Sequence, residues 1–353
     1  MTISRESIKR LAKRHAITRV PAKVALRLAR DVLARFNVMR ATITLLRVGR
    51  INYVRGHPFL MRDELGIVAW WEPSALSKGS LLNTRHFDDP FLLRYCGQVL
   101  RPGMMVFDVG LHLGAFSSFA GRLVAPDGCI HAFEPTKDSL ERASRNLDAN
   151  DLRLKCLKLS ELAVYSYTGT VRFTTYAPRY SAWNTTSTQP NMGVEPECVV
   201  EAECTTIDDY CRSNDVDFID LLKIDVEGAE VEVLHGAERM ISEGRIAAIV
   251  FEISMQPLAA LHRAPDDVIS AFVDQAFEVF RIGRGGRLYQ VNAQNVSSLP
   301  PFANYAAIPQ GSEHWEPQGE ADAVASKQAP SVPGAVPTTG FLFTDTRAGA
   351  GAA

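Results

Sequence analysis

Three features of the sequence predict an α/β fold built on a doubly wound, mostly parallel sheet with helices on both faces. Short apolar runs alternate with amphipathic stretches between residues 101 and 310, the order that parallel βαβ units impose. The strand-like runs are apolar almost without a break, as in a sheet covered on both sides. The first run ends in a glycine turn that opens a helix, at the strand edge where such sheets bind ligands.

Taken in order, residues 1–50 read as a basic helical extension. They hold 13 Lys or Arg against two acids, Glu6 and Asp31, so the other 303 residues carry 25 bases and 38 acids. After Pro21, Val24, Leu28 and Val32 fall on one stripe while Lys23, Arg27 and Arg30 face elsewhere. A solvated helix packed on its own domain explains the pattern. So does a helix lying on an anionic membrane, or one steering an anionic lipid-linked substrate. Nucleic acid is not expected, because no aromatic residues interleave with the bases as a stacking surface would need. The Arg-rich, acid-poor start also resembles a transit peptide.

Residues 51–100 read as a linker, lid or accessory segment, with the Trp70-Trp71 pair and a helix from about 89 to 100. The main domain spans 101–310. Strands are predicted at 104–109, 129–133, 154–164, 170–176, 198–203, 218–224 and 246–253, with helices at 114–124, 136–149, 206–213, 229–243 and 265–276. Runs 278–283 and 304–308 look like a closing pair. Of the 43 residues 311–353, 19 are Pro, Gly or Ala, which predicts a disordered tail.

The longest apolar runs, 66–71 and 246–251, fall far short of the roughly 18 residues that cross a bilayer. No uninterrupted apolar segment marks a secretory signal. The six cysteines contain no C-x-x-C pair and read as small buried hydrophobes in a reducing compartment. A cytoplasmic protein is expected, and the membrane reading of residues 1–50 would place it at the inner face of the membrane.

The run Met104 to Gly114 is a strand that ends in a G-x-x-x-G turn at Gly110 and Gly114. Glycine lets the backbone bend tightly and come close to a ligand. Glu134, at the end of the next strand, can accept ribose hydroxyls. A dinucleotide would want a glycine at position 112, close to its pyrophosphate, and the chain has His112 there. S-adenosylmethionine (SAM) has a ribose and no pyrophosphate, so it suits the turn better. A purely structural glycine turn is the plain alternative. His112 itself reads as a hydrogen-bonding turn residue, with a substrate contact or a general base as other roles.

The stretch Asp220 to Glu230 delivers Lys223, Asp225 and Glu227 on one side of an extended segment before Gly228 turns the chain into a helix. Such groups can hold the methionine ammonium, position a hydroxyl and perturb one another's pKa. Helix capping by Asp225 or Glu227, with Glu230 favourable in the first turn, is the structural reading.

Together FDVGLHLGAFSS, HAFEP, CTTIDDY, DLLKIDVEGAEVEVLHGA and IVFEIS resemble the FkbM-type SAM-dependent methyltransferases over roughly residues 88–285. The resemblance implies a class I methyltransferase (Rossmann-like) fold with a seven-stranded sheet, and O-methylation of a hydroxyl, typically on a sugar or a secondary metabolite. It places Asp108, Gly110 and Gly114 at the SAM turn, Glu134 at the ribose, and Asp225 with Glu227 near the methyl-transfer site. The family usually has Ala-Asn where this chain has Leu111-His112.

A sugar hydroxyl is a poor nucleophile, so in-line methyl transfer calls for a base or a metal. Asp225 or Glu227 is the first choice of base and His112 the second, with Lys223 ordering the carboxylates or contacting the acceptor. No metal site is predicted, since no His-rich ligand pattern is present, although carboxylates can bind a divalent ion. In the insertion 176–193, Tyr180 and Trp183 can stack on a sugar face and Asn184 can bond its hydroxyls. Two other functions compete: a degenerate binding or tethering module on the same fold, and an NAD(P)-dependent oxidoreductase.

Overall fold

The computed structural model describes residues 59–63, 65–71, 88–187, 194–292, 295–312 and 315. The basic extension 1–50, most of 51–87, insertion residues 188–193 and the tail beyond 315 lie outside the described residues. Strands β1 (Phe59–Arg62) and β2 (Val68–Trp71) pair antiparallel. Helix α1 (Pro90–Val99) begins where predicted, because Asp89 accepts from Phe91 N and Leu92 N and Pro90 presets the first turn.

The alternation then runs β3 (Met105–Val109), α2 (Ala115–Val124), β4 (Cys129–Phe133), α3 (Lys137–Asp148) and β5 (Cys156–Ser160). Next come β6 (Ala163–Val164), β7 (Gly169–Thr175), β8 (Cys198–Thr205) and α4 (Ile207–Ser213). They are followed by β9 (Leu221–Ile224), α5 (Glu230–His235), α6 (Glu238–Ser242) and β10 (Ile249–Ser254). The last elements are α7 (Met255–Ala260), α8 (Pro265–Val273), β11 (Phe277–Ile282), β12 (Leu288–Gln290) and β13 (Phe302–Pro309).

One sheet has the strand order β12-β11-β13-β10-β9-β3-β4-β5. Strands β10, β9, β3, β4 and β5 are parallel, and β13 inserts antiparallel between β10 and β11. The count is eight rather than the expected seven, because the short β12 extends the edge beyond β11. Alternate residues face opposite helical layers, as the period of two requires. Val106, Ile130 and Leu221 pack with α1, α2 and α3. Phe107, Leu222, Ile224 and Phe251 pack with α4, α5, α6 and α8. Residues 88–100 thus contribute to the main core: Leu93, Tyr95 and Cys96 are fully buried.

Three predicted elements differ. The run 154–164 divides, since β5 completes the main sheet while β6 joins β7 and β8 in a separate three-stranded sheet. The run 218–224 becomes a strand only at Leu221. The helix expected over 229–243 is two helices meeting at Gly236 and Ala237. Asp208 accepts from Arg239 N and Met240 N and so starts α6 afresh, and Asp208 N donates to Gly236 O. A Cβ on Gly236 would meet Tyr165 O at 2.2 Å.

Candidate active site

The carboxyl ends of β3, β4, β9 and β10 share one edge of the sheet. At β3, Gly110 has φ +85°, and a Cβ there would lie 1.8 Å from Asp225 O. Only glycine lets the ends of β3 and β9 approach this closely. Gly114, at φ +75°, caps α2. Between them His112 takes φ +48°, a conformation that L residues seldom adopt.

Behind the turn the ladder sets Asp108 beside Lys223. Asp108 is sealed from solvent. Its Oδ2 accepts from Ser117 Oγ at 2.6 Å and its Oδ1 from Lys223 Nζ at 3.0 Å. Lys223 Nζ also meets Gly110 O at 3.2 Å and Asp225 Oδ2 at 3.3 Å. Two of these contacts are hydrogen bonds, to Asp108 and Gly110, and the third is an ion pair with Asp225. Burial disfavours the Lys223 charge, but Asp108, Asp225 and Asp88 outweigh it and hold its pKa above the ordinary value. Lys223 and Asp108 thus tie the glycine turn to Asp225.

Glu134 is 6% exposed, and its Oε1 accepts from Thr136 N and Thr136 Oγ1 while Oε2 accepts from His112 N at 3.1 Å. A carboxylate offers about four acceptor positions, which leaves room for one ribose hydroxyl, and for a second if the Thr136 hydroxyl turns away. Burial raises its carboxyl to about 7. Burial and the Arg142 guanidinium lower His112 to about 4, so its ring is neutral at ordinary pH. His112 Nε2 lies 3.1 Å from Ser181 Oγ.

The third group is acidic. Register pairs Ile224 with Phe251, which brings Asp225 level with Glu252 on the neighbouring strand. Carboxylate oxygens of Asp225, Glu227 and Glu252 lie within 4.8 Å of one another. About a third of the Asp225 side chain is exposed. Burial, then the charges of Asp225 and Glu230, push Glu227 well above the usual carboxylate range. Glu252 is raised well above it in the same way, by burial and then by Asp225, Glu227 and Glu230. Glu227 sits at φ +51° before Gly228 at φ +104°. Asp88, just before α1, is raised to about 7 by burial, with Lys223 opposing and Asp225 adding to the shift.

Of the residues singled out in the sequence, Gly110, His112, Glu134, Asp225 and Glu227 thus meet at one sheet edge. Gly114 lies on the far side of the turn against Ala143 and Leu147, and Asp108 with Lys223 stands behind it. Three neighbours escaped sequence reading: Asp88, Ser181 and Glu252. Glu252 carried the same signal as Asp225, an acid near the carboxyl end of an apolar strand, but only the register links them.

The insertion reaches this edge. Its 3₁₀ segment Pro178–Trp183 carries Ser181, and Tyr180 stacks on Trp183 with ring centroids 5.0 Å apart. Thr185 Oγ1 donates to Glu227 O at 2.8 Å, and Asn184 Oδ1 accepts from Tyr176 N within the insertion. The donor set suits SAM. Glu134 would take the ribose and the open face of Asp225 the ammonium, while an imidazole occupies the place where a dinucleotide's pyrophosphate needs glycine.

Residues 108–282 match the family model described as Methyltransferase FkbM domain. Methyltransferase sdnD of Sordaria araneosa is 30% identical over 38% of this chain and 60% of its own length. The 31-O-demethyl-FK506 methyltransferase FkbM of Streptomyces tacrolimicus is 29% identical over 60% of this chain and 88% of its own. The chain thus spans less than two thirds of the first relative. Among solved structures, the methyltransferase FkbM from Methylobacillus flagellatus superimposes with TM-score 0.35 at 14% identity, over 65% of this chain and 53% of that one. Residues 108–282 thus carry a methyltransferase domain of the FkbM type, with S-adenosylmethionine as its cofactor.

Proposed function

We propose that the enzyme methylates a hydroxyl oxygen, and that the acceptor is a sugar within a glycolipid, polysaccharide or glycosylated metabolite. The observation that carries this reading is the docking of the insertion. The Ser181–His112 and Thr185–Glu227 hydrogen bonds bring the stacked Tyr180–Trp183 pair to the edge where the carboxylates gather. Aromatic faces pack against the C–H faces of sugar rings, and carboxylates accept from their hydroxyls. The relative named for a 31-O-demethyl substrate supports oxygen as the methylated atom.

SAM supplies a methyl group on a positively charged sulfur. The protein must bring a hydroxyl into line with it and take the hydroxyl proton. Glu227 is assigned as the base, because burial and its acidic neighbours raise its proton affinity above that of a solvated carboxylate. Asp225, held by Lys223, orients the cofactor and the acceptor. Neutral His112 is held by Ser181 and fixes the insertion.

The test is methyl-labelled SAM with a panel of saccharides and other hydroxylated acceptors, followed by mass spectrometry of the product. The expected product is a methyl ether, and Glu227→Gln should lower kcat by about 100-fold or more with SAM affinity retained. Transfer to nitrogen or carbon would refute oxygen as the acceptor atom. An unaltered kcat in the variant would refute the base.

A further inference from the structure

We propose that Asp225, Glu227 and Glu252 bind a divalent cation of the hard, oxygen-seeking class, magnesium or manganese, deepening the O-methyl transfer reading. The three carboxylates present oxygens within 4.8 Å of one another. An ion with metal–oxygen distances near 2.1 Å places its ligand oxygens roughly 3–4 Å apart, so modest side-chain movement completes the set. All the donors are carboxylate oxygens, which suits magnesium, calcium or manganese rather than a softer metal. Asp225, about a third exposed, leaves one side of the group open to the waters that such an ion keeps.

Glu230 is the independent observation. It is 2% exposed. Its Oε1 accepts from Gly228 N at 3.0 Å, which folds the side chain back over the turn that carries Asp225 and Glu227. Its Oε2 is buried without a hydrogen-bond partner. Leaving a buried acceptor unpaired costs about 1–3 kcal/mol, and a water on a nearby cation is a donor that would satisfy it. The cation beside the cluster, Lys223, is hydrogen-bonded to Asp108 and Gly110 and among the three carboxylates pairs with Asp225. A divalent ion would balance the remaining charge and draw the acceptor hydroxyl to the carboxylates.

The experiment uses the full chain, stripped with EDTA and titrated with Mn²⁺. Bound ion is read by electron paramagnetic resonance, and SAM affinity by calorimetry on the same samples. A single saturable site with Kd well below millimolar is expected. Both Glu252→Gln and Glu227→Gln should weaken it by about tenfold or more, while Glu238→Gln, on the exposed side of α6, leaves it unchanged. Absence of saturable binding in the unsubstituted protein overturns the cation site whatever the variants do. Equal affinity in both variants overturns it too. With SAM binding intact, such a result removes the cation and leaves O-methyl transfer standing, whereas a product methylated on nitrogen refutes the other reading alone.

Discussion

At the scale of single residues, the site is decided by one glycine, one buried ion pair and one buried acid. Any side chain at Gly110 would drive into Asp225 O, so the turn needs a missing Cβ as much as a positive φ. That requirement could be read from the sequence as a glycine at a strand end, but its partner could not, because Asp225 is 115 positions away along the chain. The Asp108–Lys223 pair was legible as two charges and not as a structural tie. Sequence gives no sign that Asp108 is sealed, and removing one partner of such a pair typically costs about 3–5 kcal/mol. Glu134 gives a pH prediction. Its carboxyl stands at about 7 in the folded protein against a reference value of 4.5. The folded state therefore holds that proton more tightly, and the group's contribution to stability is lost as pH rises from 4.5 through 7. A ribose hydroxyl prefers the ionised form, so SAM affinity moves the opposite way and should be about tenfold weaker at pH 6 than at pH 8. Calorimetry on the protein and on Glu134→Gln checks this. The variant should bind more weakly with the Glu134 component of the profile gone, and parallel profiles in the two proteins would remove Glu134 from the ribose site.

At the scale of elements, strands and helices near the glycine turn were legible because local signals agree. Asp89 caps α1, apolar runs of uniform character make β3 and β4, and glycine opens α2. The misreadings occur where a distant contact overrides local pattern. The period over 229–243 is helical throughout, yet Asp208, from another element, supplies the N-terminal partners that split it. The same limit hid Glu252, whose relevance depends on strand register. The insertion and its aromatic pair are legible in the composition of 176–193, whereas its attachment through Ser181 and Thr185 depends on contacts with distant residues. That attachment makes a prediction about the element. Trp183→Ala should raise the acceptor KM about tenfold or more, as loss of an aromatic binding anchor does, with SAM affinity unchanged within about twofold. Steady-state kinetics alongside SAM calorimetry separates the effects. A KM unchanged while kcat falls would mean that the insertion organises the base rather than the acceptor.

At the scale of the whole molecule, the described residues contain no helix long and apolar enough to cross a membrane, and the charge pattern of the sequence is what motivates a test of peripheral attachment. Charge is strongly divided along the chain: residues 1–50 carry 13 bases against two acids, and the remainder carries 25 against 38. An anionic bilayer attracts the first group and repels the second. At physiological ionic strength fields decay over about 8 Å, so a basic segment against the lipid is governed by its own charge while acids farther away are screened. Each Lys or Arg close to such a surface contributes about 1 kcal/mol. The full chain should therefore sediment with vesicles containing about a third phosphatidylserine at low salt, and be released as salt is raised. Replacing Lys23, Arg27 and Arg30 together by Gln should weaken binding by about 100-fold, with SAM affinity preserved because the groups proposed to hold the cofactor lie at 108–134 and 225. Equal retention on neutral vesicles, or no response to the triple substitution, would show that the charge division serves something other than a membrane.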